Sequence, residues 1–305
     1  MRRKRYENLD GIRNHHSVLD FLRWFNERRR KEKDLRARIE QVESPVIHEL
    51  RENRTATSIT WIGHATFLIQ QNGLNLLTDP VWARKIARYR RATPPGLPLD
   101  ELPGIDAVLL SHGHYDHLDF ATLKQLKGKP MFYVPAGMKR LFTKRGYKNV
   151  QELQWWKATT VGGLTFSFVP AQHWVRRGVF DQNASHWGGW MIEGAHESIY
   201  FAGDSGYFRG FAEIGQRYQP DIALLPIGAY EPEWFMKLDH MNPEEAICAF
   251  RDLGADVCIP MHYGTFRLAD ETGIEARDRF LQGWEKQRLA KERLAMLKIG
   301  ETLWL

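Results

Sequence analysis

The stretch Ser111-His112-Gly113-His114-Tyr115-Asp116-His117 puts three imidazoles and a carboxylate within six residues. It follows the apolar run Val108-Leu109-Leu110, which reads as the end of a buried strand. On an extended backbone His112 and His114 project to the same side. A turn through Tyr115 can then bring Asp116 and His117 round beside them. Imidazole with carboxylate is a ligand set that zinc, iron or manganese accepts. Six residues cannot close two coordination spheres, so further ligands must come from elsewhere. His173, Asp204 and His262 qualify, because each stands just past a strand-like run. The isolated His15, His16, His48, His186 and His196 read as packing or surface residues.

The elements that must position these groups are short strands. Ser58–Ile62, Thr66–Gln70 and Leu74–Thr78 are rich in Ile, Leu, Phe and Thr, with the turn pair Asn72-Gly73 joining the second to the third. Asp106–Leu110 leads into the histidine cluster, and helices are expected over Phe120–Lys127 and Met138–Lys144. Arg84 to Gly96 reads as a basic loop. In the second half Leu164–Val169 leads toward His173, and Trp190–Ile192 with Ser198–Ala202 leads to Asp204. The two halves thus share an outline of strand, His, strand, turn, strand, Asp. That pattern predicts two similar β-layers with flanking helices, packed face to face. Asp221–Leu225 and Asp256–Pro260 are further strands. Asn242-Pro243-Glu244-Glu245 opens a helix with a cap, a first-turn proline and two acids against the dipole. A last helix is expected over Ile274–Leu297.

Charge is unevenly spread. The chain of 305 residues has a net charge of +6, yet residues 1–40 carry 13 Lys and Arg against 7 Asp and Glu, and the rest balances at 30 of each. A neutral body argues against a nucleic-acid groove. The boundary is drawn between a basic arm, residues 1–45, and a body, residues 46–305. Within the arm Ser17 to Lys33 reads as a helix with Asp20 at its start and Arg28 to Lys33 at its end. Its aromatic and aliphatic residues either dock on the body or lie on a membrane surface. Met-Arg-Arg-Lys-Arg at the start lacks a following apolar segment and so does not read as a signal peptide. Two cysteines, Cys248 and Cys258, cannot make a disulfide framework and fit a reducing compartment, so the expected location is the cytoplasm.

His112 to His117 resembles the metal motif of the metallo-β-lactamase superfamily. More narrowly, Thr60-Trp61-Ile62-Gly63-His64-Ala65-Thr66, Ala171-Gln172-His173-Trp174, Ala202-Gly203-Asp204-Ser205-Gly206-Tyr207, Gly228-Ala229-Tyr230-Glu231-Pro232 and His262-Tyr263-Gly264-Thr265-Phe266 are similar to the phospholipases D that hydrolyse N-acyl-phosphatidylethanolamine. The likeness runs from about residue 55 to 270. It implies an α/β fold, a four-layer αββα sandwich with two divalent ions at one edge of its sheets. Zinc is expected, with manganese or iron as alternatives. By the resemblance His112, His114 and His173 hold one ion, Asp116, His117 and His262 the other, and Asp204 bridges them.

Water held between two such ions has a lowered pKa and can attack phosphorus in line. Asp116 and His240 are the candidates for catalytic roles, His240 as a phosphate contact or proton donor. Asp79 either accepts a ligand histidine's second N–H or caps the turn at Pro80, and His64 is expected near the metals without binding them. Tyr115 and Tyr230 are expected to line the substrate pocket, with Trp155-Trp156 and Tyr230 to Met236 as material for an apolar trough. The expected partner is a phospholipid or other phosphodiester, with peripheral membrane contact through residues 17–33 and a second copy of the chain as an admissible partner. A lactonase with the same ligands, and a non-catalytic membrane-associated protein, are the alternatives.

Overall fold

Alternation along the strands sorts the apolar residues onto two faces of each sheet. In this computed structural model, which describes residues 4–13 and 16–305, the first half supplies β1 (Ser58–Gly63), β2 (Thr66–Gln71), β3 (Leu74–Thr78), a small hairpin of β4 (Lys85–Ile86) and β5 (Tyr89–Arg90), then β6 (Ile105–Leu109), β7 (Gly128–Pro135) and β8 (Val150–Leu153). The second half supplies β9 (Lys157–Val161), β10 (Leu164–Val169), β11 (Gly189–Glu193), β12 (Ser198–Phe201), β13 (Ile222–Pro226) and β14 (Val257–Met261), and β15 (Thr302–Trp304) closes the chain. One sheet runs β15-β1-β2-β3-β6-β7-β8 and the other β14-β13-β12-β11-β10-β9. Each is an antiparallel meander that continues into parallel strands: β1 to β3 then β6 to β8, and β9 to β12 then β13 and β14. The two-layer outline expected from the sequence therefore has a topological counterpart.

Trp61, Phe67, Ile69, Leu76 and Leu109 of the first sheet meet Phe166, Phe168, Trp190, Ile192 and Phe201 of the second in one buried core. Their strand neighbours Ile62, Leu68, Leu77 and Val108 point the other way, under α2 (Ile47–Glu52), α3 (Phe120–Leu123) and α4 (Lys139–Thr143). On the far side α5 (Gly210–Tyr218), the single turn α6 (Glu233–Met236), α7 (Pro243–Leu253) and α8 (Gly273–Lys286) follow in the chain. Phe211, Phe250, Phe280 and Trp284 from α5, α7 and α8 join the same core across the second sheet. The order is helices, sheet, sheet, helices: the αββα sandwich.

Three elements differ from expectation. The last helix stops at Lys286 rather than Leu297, because Leu294 bridges Cys258 and the chain turns to bring β15 against β1. The stretch Phe120–Lys127 is helical only to Leu123. The basic loop contains the β4–β5 hairpin, and its Arg91 is drawn inward to donate to the carbonyls of Thr93 and Val81. Asn72 and Gly73 both take positive φ in the β2–β3 turn, as a two-residue hairpin requires.

The N-terminal helix, α1 (Val18–Arg30), has the Ser17–Asp20 capping box and buries none of its residues. It touches the body on one stripe. Trp24 stacks on Phe235 and donates to Asp270, while Arg28 and Lys31 approach the same buried carboxylate at 3.6 and 3.1 Å. Further on, Ile39 is part of the core. Val18 (76 % exposed), Leu19 (75 %), Leu22 (55 %) and Phe25 (46 %) face outward. The Met1–Arg3 part of the basic start, and His15, lie outside the described residues.

Candidate metal centre

All seven expected ligands stand at strand ends, where backbone leaves the ladder and side chains can converge. His112 to His117 follow β6, His173 follows β10, Asp204 follows β12 and His262 follows β14. His112 Nε2 and His173 Nε2 lie 2.9 and 3.2 Å from His114 Nδ1. His117 Nε2 lies 3.2 Å from His262 Nε2 and 3.3 Å from an Asp116 oxygen. Asp204 stands between the two groups, 3.1 Å from His117, 3.0 Å from His262, and 3.9 and 3.8 Å from His112 and His173.

Further contacts fix which nitrogens face inward. His173 Nδ1 meets the Asp239 carbonyl, which can only accept, so that nitrogen carries the proton and Nε2 presents its lone pair. His117 Nδ1 donates to Asp79 at 2.7 Å, with the same result. Asp79 also accepts from the Ser111 amide and hydroxyl, and Ser111 Oγ lies 2.9 Å from His112 Nδ1. The Asp79 carboxylate is thus spent on Ser111 and His117 and not on the turn at Pro80. Such outer contacts orient metal ligands and raise their basicity.

Lone pairs aimed at one another at about 3 Å repel unless a cation lies among them. Burial drives the protons off most of these rings, holding His112 and His173 well below the ordinary histidine value and His114 and His240 down to about 4. Burial resists charge on His117 and His262 too, yet Asp204 and Asp116 push His117 well up and His262 up to about 9. Asp116 and Asp204 stay well below the carboxylate range despite burial, held there by His117 and His262. The cluster therefore demands positive charge. A tetrahedral ion with nitrogens at 2.0–2.1 Å sets its ligand atoms about 3.3 Å apart, close to the separations here. The residues present fit divalent metals.

The structure adds members that the motif did not name. His64 lies 2.9 Å from Asp116 and close enough to His117 and His262 to share an ion with them, so it stands within ligand reach rather than merely nearby. Burial takes its imidazole down to about 3. His240 forms a further potential group with His173 and Asp204, its Nδ1 4.0 Å from Asp204. His64, Asp79 and His262 all have positive φ, a strained conformation for such residues that the surrounding packing must hold. Arg177 Nη1 donates to the carbonyls of Gly113, His114 and Leu118, latching the ligand loop. From the arm, the Asn8 side chain accepts from the His173 amide and Trp187 Nε1. Neither role has a local signal, since both partners lie far along the chain.

Tyr115 is 53 % exposed beside the ligand loop, donates to the Arg177 carbonyl and stacks with the Arg177 guanidinium. Tyr230 is 3 % exposed and packs in the central core, with the Arg279 guanidinium carbon 4.9 Å from its ring centre. Trp155 and Trp156, partly buried, pack against that core too, and Trp155 donates to the Trp187 carbonyl. Of the other histidines, His48 and His196 are exposed, His16 stacks on Phe235, and His186 is buried beside Tyr6 and Trp155. A cavity of about 460 Å³ opens beside His173 and Trp174, walled by Arg5 to Asn8, Ile12 and Arg13 of the arm.

Residues 74–263 match the family described as the Beta-lactamase superfamily domain. N-acyl-phosphatidylethanolamine-hydrolyzing phospholipase D 1 of Caenorhabditis elegans is 38 % identical over 240 residues, covering 72 % of this chain and 67 % of that one. The mitochondrial N-acyl-phosphatidylethanolamine-hydrolyzing phospholipase D of Saccharomyces cerevisiae is 37 % identical over 234 residues, 72 % of this chain and 50 % of that protein. In fold, the chain superposes on a possible metal-dependent hydrolase of Veillonella parvula with a TM-score of 0.70 at 19 % identity, covering 82 % of this chain and 100 % of that one. With its clustered ligands at the sheet edge, the chain belongs to the metallo-β-lactamase superfamily, as a binuclear-site hydrolase related to the N-acyl-phosphatidylethanolamine-hydrolysing phospholipases D.

Proposed function

We propose that the protein is a phosphodiesterase of phospholipase D type acting on N-acyl-phosphatidylethanolamine-like lipids, with two zinc ions held by His112, His114, His173, Asp116, His117, His262 and the shared Asp204. The observation that carries it is the convergence of these seven groups in a chain 38 % identical to a phospholipase D of that name. A set dominated by imidazole suits zinc better than manganese. Bound there, the ions supply activated water at neutral pH and neutralise phosphate charge. The chain's own residues do the rest. Asp79, Ser111 and the Asp239 carbonyl fix the tautomers of His117, His112 and His173. His240, largely buried and uncharged at neutral pH, would offer an N–H hydrogen bond to a phosphate oxygen at the Asp204 side of the cleft. Asp116, ion-paired with His117 and His262 and bonded to His64, stays ionised and so would supply the carboxylate that helps hold one of the ions.

Lipid access is supported by the outward face of the N-terminal helix, where Val18, Leu19, Leu22 and Phe25 stand in solvent, so residues 17–33 are proposed as a peripheral membrane contact. No helix among the described residues is long and apolar enough to cross a membrane. The unpaired Cys248 and Cys258 support a reducing, cytoplasmic setting.

A hydrolysis panel on zinc-loaded protein tests the reading: N-acyl-phosphatidylethanolamine, bis-p-nitrophenyl phosphate, a sugar lactone and an acyl lactone. Cleavage of the phosphodiesters, lost together with bound zinc in Asp204→Asn, is expected. Turnover of a lactone with no phosphodiester cleaved would replace the phospholipase reading with the lactonase. For His240→Ala, we expect a fall in kcat of about 10²-fold or more, the range for losing a donor aimed at transition-state charge, with zinc content unchanged. Unaltered turnover and affinity would remove His240 from the reaction.

A further inference from the structure

Away from the metal ligands, the N-terminal helix and the β4–β5 hairpin enclose a cavity of about 460 Å³. Arg28, Arg29, Lys31, Lys33, Arg88 and Arg267 line it, and no carboxylate does. Three body carboxylates stand behind: Asp270 pairs with Arg28 and Lys31, Glu231 with Lys31 and Lys33, and Glu275 with Lys33. With Glu271, which acts on Arg267, counted as a fourth, six cations against four acids leave a local charge of +2. Arg29 and Arg88 have no carboxylate partner among the described residues, and Arg88 donates only to the Tyr89 hydroxyl. Arg28 Nη1 is buried without a hydrogen-bond partner. The Tyr89 ring sits 5.2 and 5.8 Å from the Arg88 and Arg28 guanidinium carbons, which holds both forks at one wall.

We propose that this cavity binds a phosphomonoester dianion, either free phosphate or a phosphomonoester lipid headgroup. Surplus positive charge with an unsatisfied buried guanidinium N–H costs stability until an anion fills it. A tetrahedral dianion has enough acceptor oxygens to serve several arginine forks at once, which a single carboxylate does not. The cavity's apolar rim is Phe25 and Leu35. Val18, Leu22, Phe25 and Arg29 follow one another at helical spacing on a single stripe, so the exposed apolar face runs directly into the cavity. A headgroup seated there would leave its acyl chains along that stripe. The site is independent of which ester the metal centre hydrolyses.

Binding to zinc-loaded protein tests it, with inorganic phosphate by calorimetry and with phosphatidylcholine vesicles carrying phosphatidic acid or an equal charge of phosphatidylglycerol. Phosphate also reaches the zinc ions, so the readout is wild type against the double variant Arg29→Ala/Arg88→Ala. Melting temperature and zinc content serve as fold controls. We expect the variant to bind phosphate, phosphatidic acid vesicles or both roughly tenfold more weakly, the effect of losing one charge-assisted contact or more. Loss confined to phosphate identifies the free anion, and loss confined to phosphatidic acid vesicles identifies the lipid headgroup. Arg29→Lys/Arg88→Lys, keeping charge without the forks, should restore only part of the affinity. Unchanged binding of both probes, or an equal loss toward phosphatidylglycerol, overturns the proposal.

Discussion

Asp79 joins Ser111 to His117 and, through Ser111, reaches His112, so one carboxylate orients a histidine from each of the two proposed triads. Burial pushes its carboxyl up, against the pull of His117 and Ser111, so its charge depends on those partners staying in place. Asp79→Asn keeps the shape but removes the charge that strengthens the His117 N–H bond. The expected result is a 10- to 100-fold loss of zinc affinity, read by competition with a chelator, in a protein that still folds. Wild-type affinity would mean that His117 is positioned without it. His186 shows the converse case, a histidine buried for packing. Burial, with nearby Lys4, drives it down to about 3. The native state keeps it neutral, whereas the unfolded chain protonates it near pH 6.5. Its contribution to stability is fully present above pH 6.5 and is lost as pH falls toward 3. His186→Phe should therefore lose less stability than wild type in urea melts between pH 7.5 and 5, by about 1–2 kcal/mol. Parallel curves would contradict that assignment.

At the scale of elements, the site depends on two sheets meeting at close quarters. Gly203, φ 62°, precedes Asp204 at the end of β12, and a Cβ there would stand 2.5 Å from Ser111 Cβ on the other sheet. Gly203→Ala would force that seam apart and drive the Ser111–Asp79 pair out of line. A loss of roughly 2–4 kcal/mol follows from overpacking and left-handed strain together, visible as a lower Tm accompanied by weaker zinc binding. The N-terminal helix is held by a different logic. Its apolar stripe is left in solvent, and Trp24, Arg28 and Lys31 converge instead on buried Asp270. Asp270→Ala removes the carboxylate shared by Trp24, Arg28 and Lys31, leaving Lys31 to Glu231 and Arg28 without an acid, a change worth about 1–3 kcal/mol. It should release the helix, so limited proteolysis is expected to cut residues 18–33 first while the β-sandwich survives. Cleavage no faster than in wild type would show that Trp24 stacking suffices.

Across the whole molecule the +6 charge has two uses. Arg28, Lys31 and Lys33 are neutralised by Asp270, Glu231 and Glu275 of the body, so part of the basic arm is an internal anchor. Arg29 has no carboxylate partner among the described residues and lines the cavity proposed to bind an anion. The arm also reaches the catalytic edge, since Asn8 accepts from the His173 amide and Arg5 to Asn8, Ile12 and Arg13 wall the cavity beside it. Arm and metal centre are thus parts of one surface.

Much of the centre was legible in the chain order because its signals are local. Ligand-type residues just past apolar strands, the Asn72-Gly73 turn and the caps at Ser17 and Asn242 are all written within a few neighbouring residues, and the structure keeps each close to where the pattern puts it. The strands β7 to β9 were less visible, since β8 is short and β9 largely exposed and neither shows a strong apolar alternation. Tyr230, Arg177 and Asn8 depended on contacts between distant segments, which no periodicity encodes. The sequence by itself determined the donor chemistry and the two-sheet plan, because both rest on residue type and short-range spacing. Only the tertiary structure decided which nitrogens meet, that His64 and His240 join them, and that the arm docks by its charged end with its apolar face in solvent. Those outcomes are set by packing and by the matching of charges across long stretches of chain.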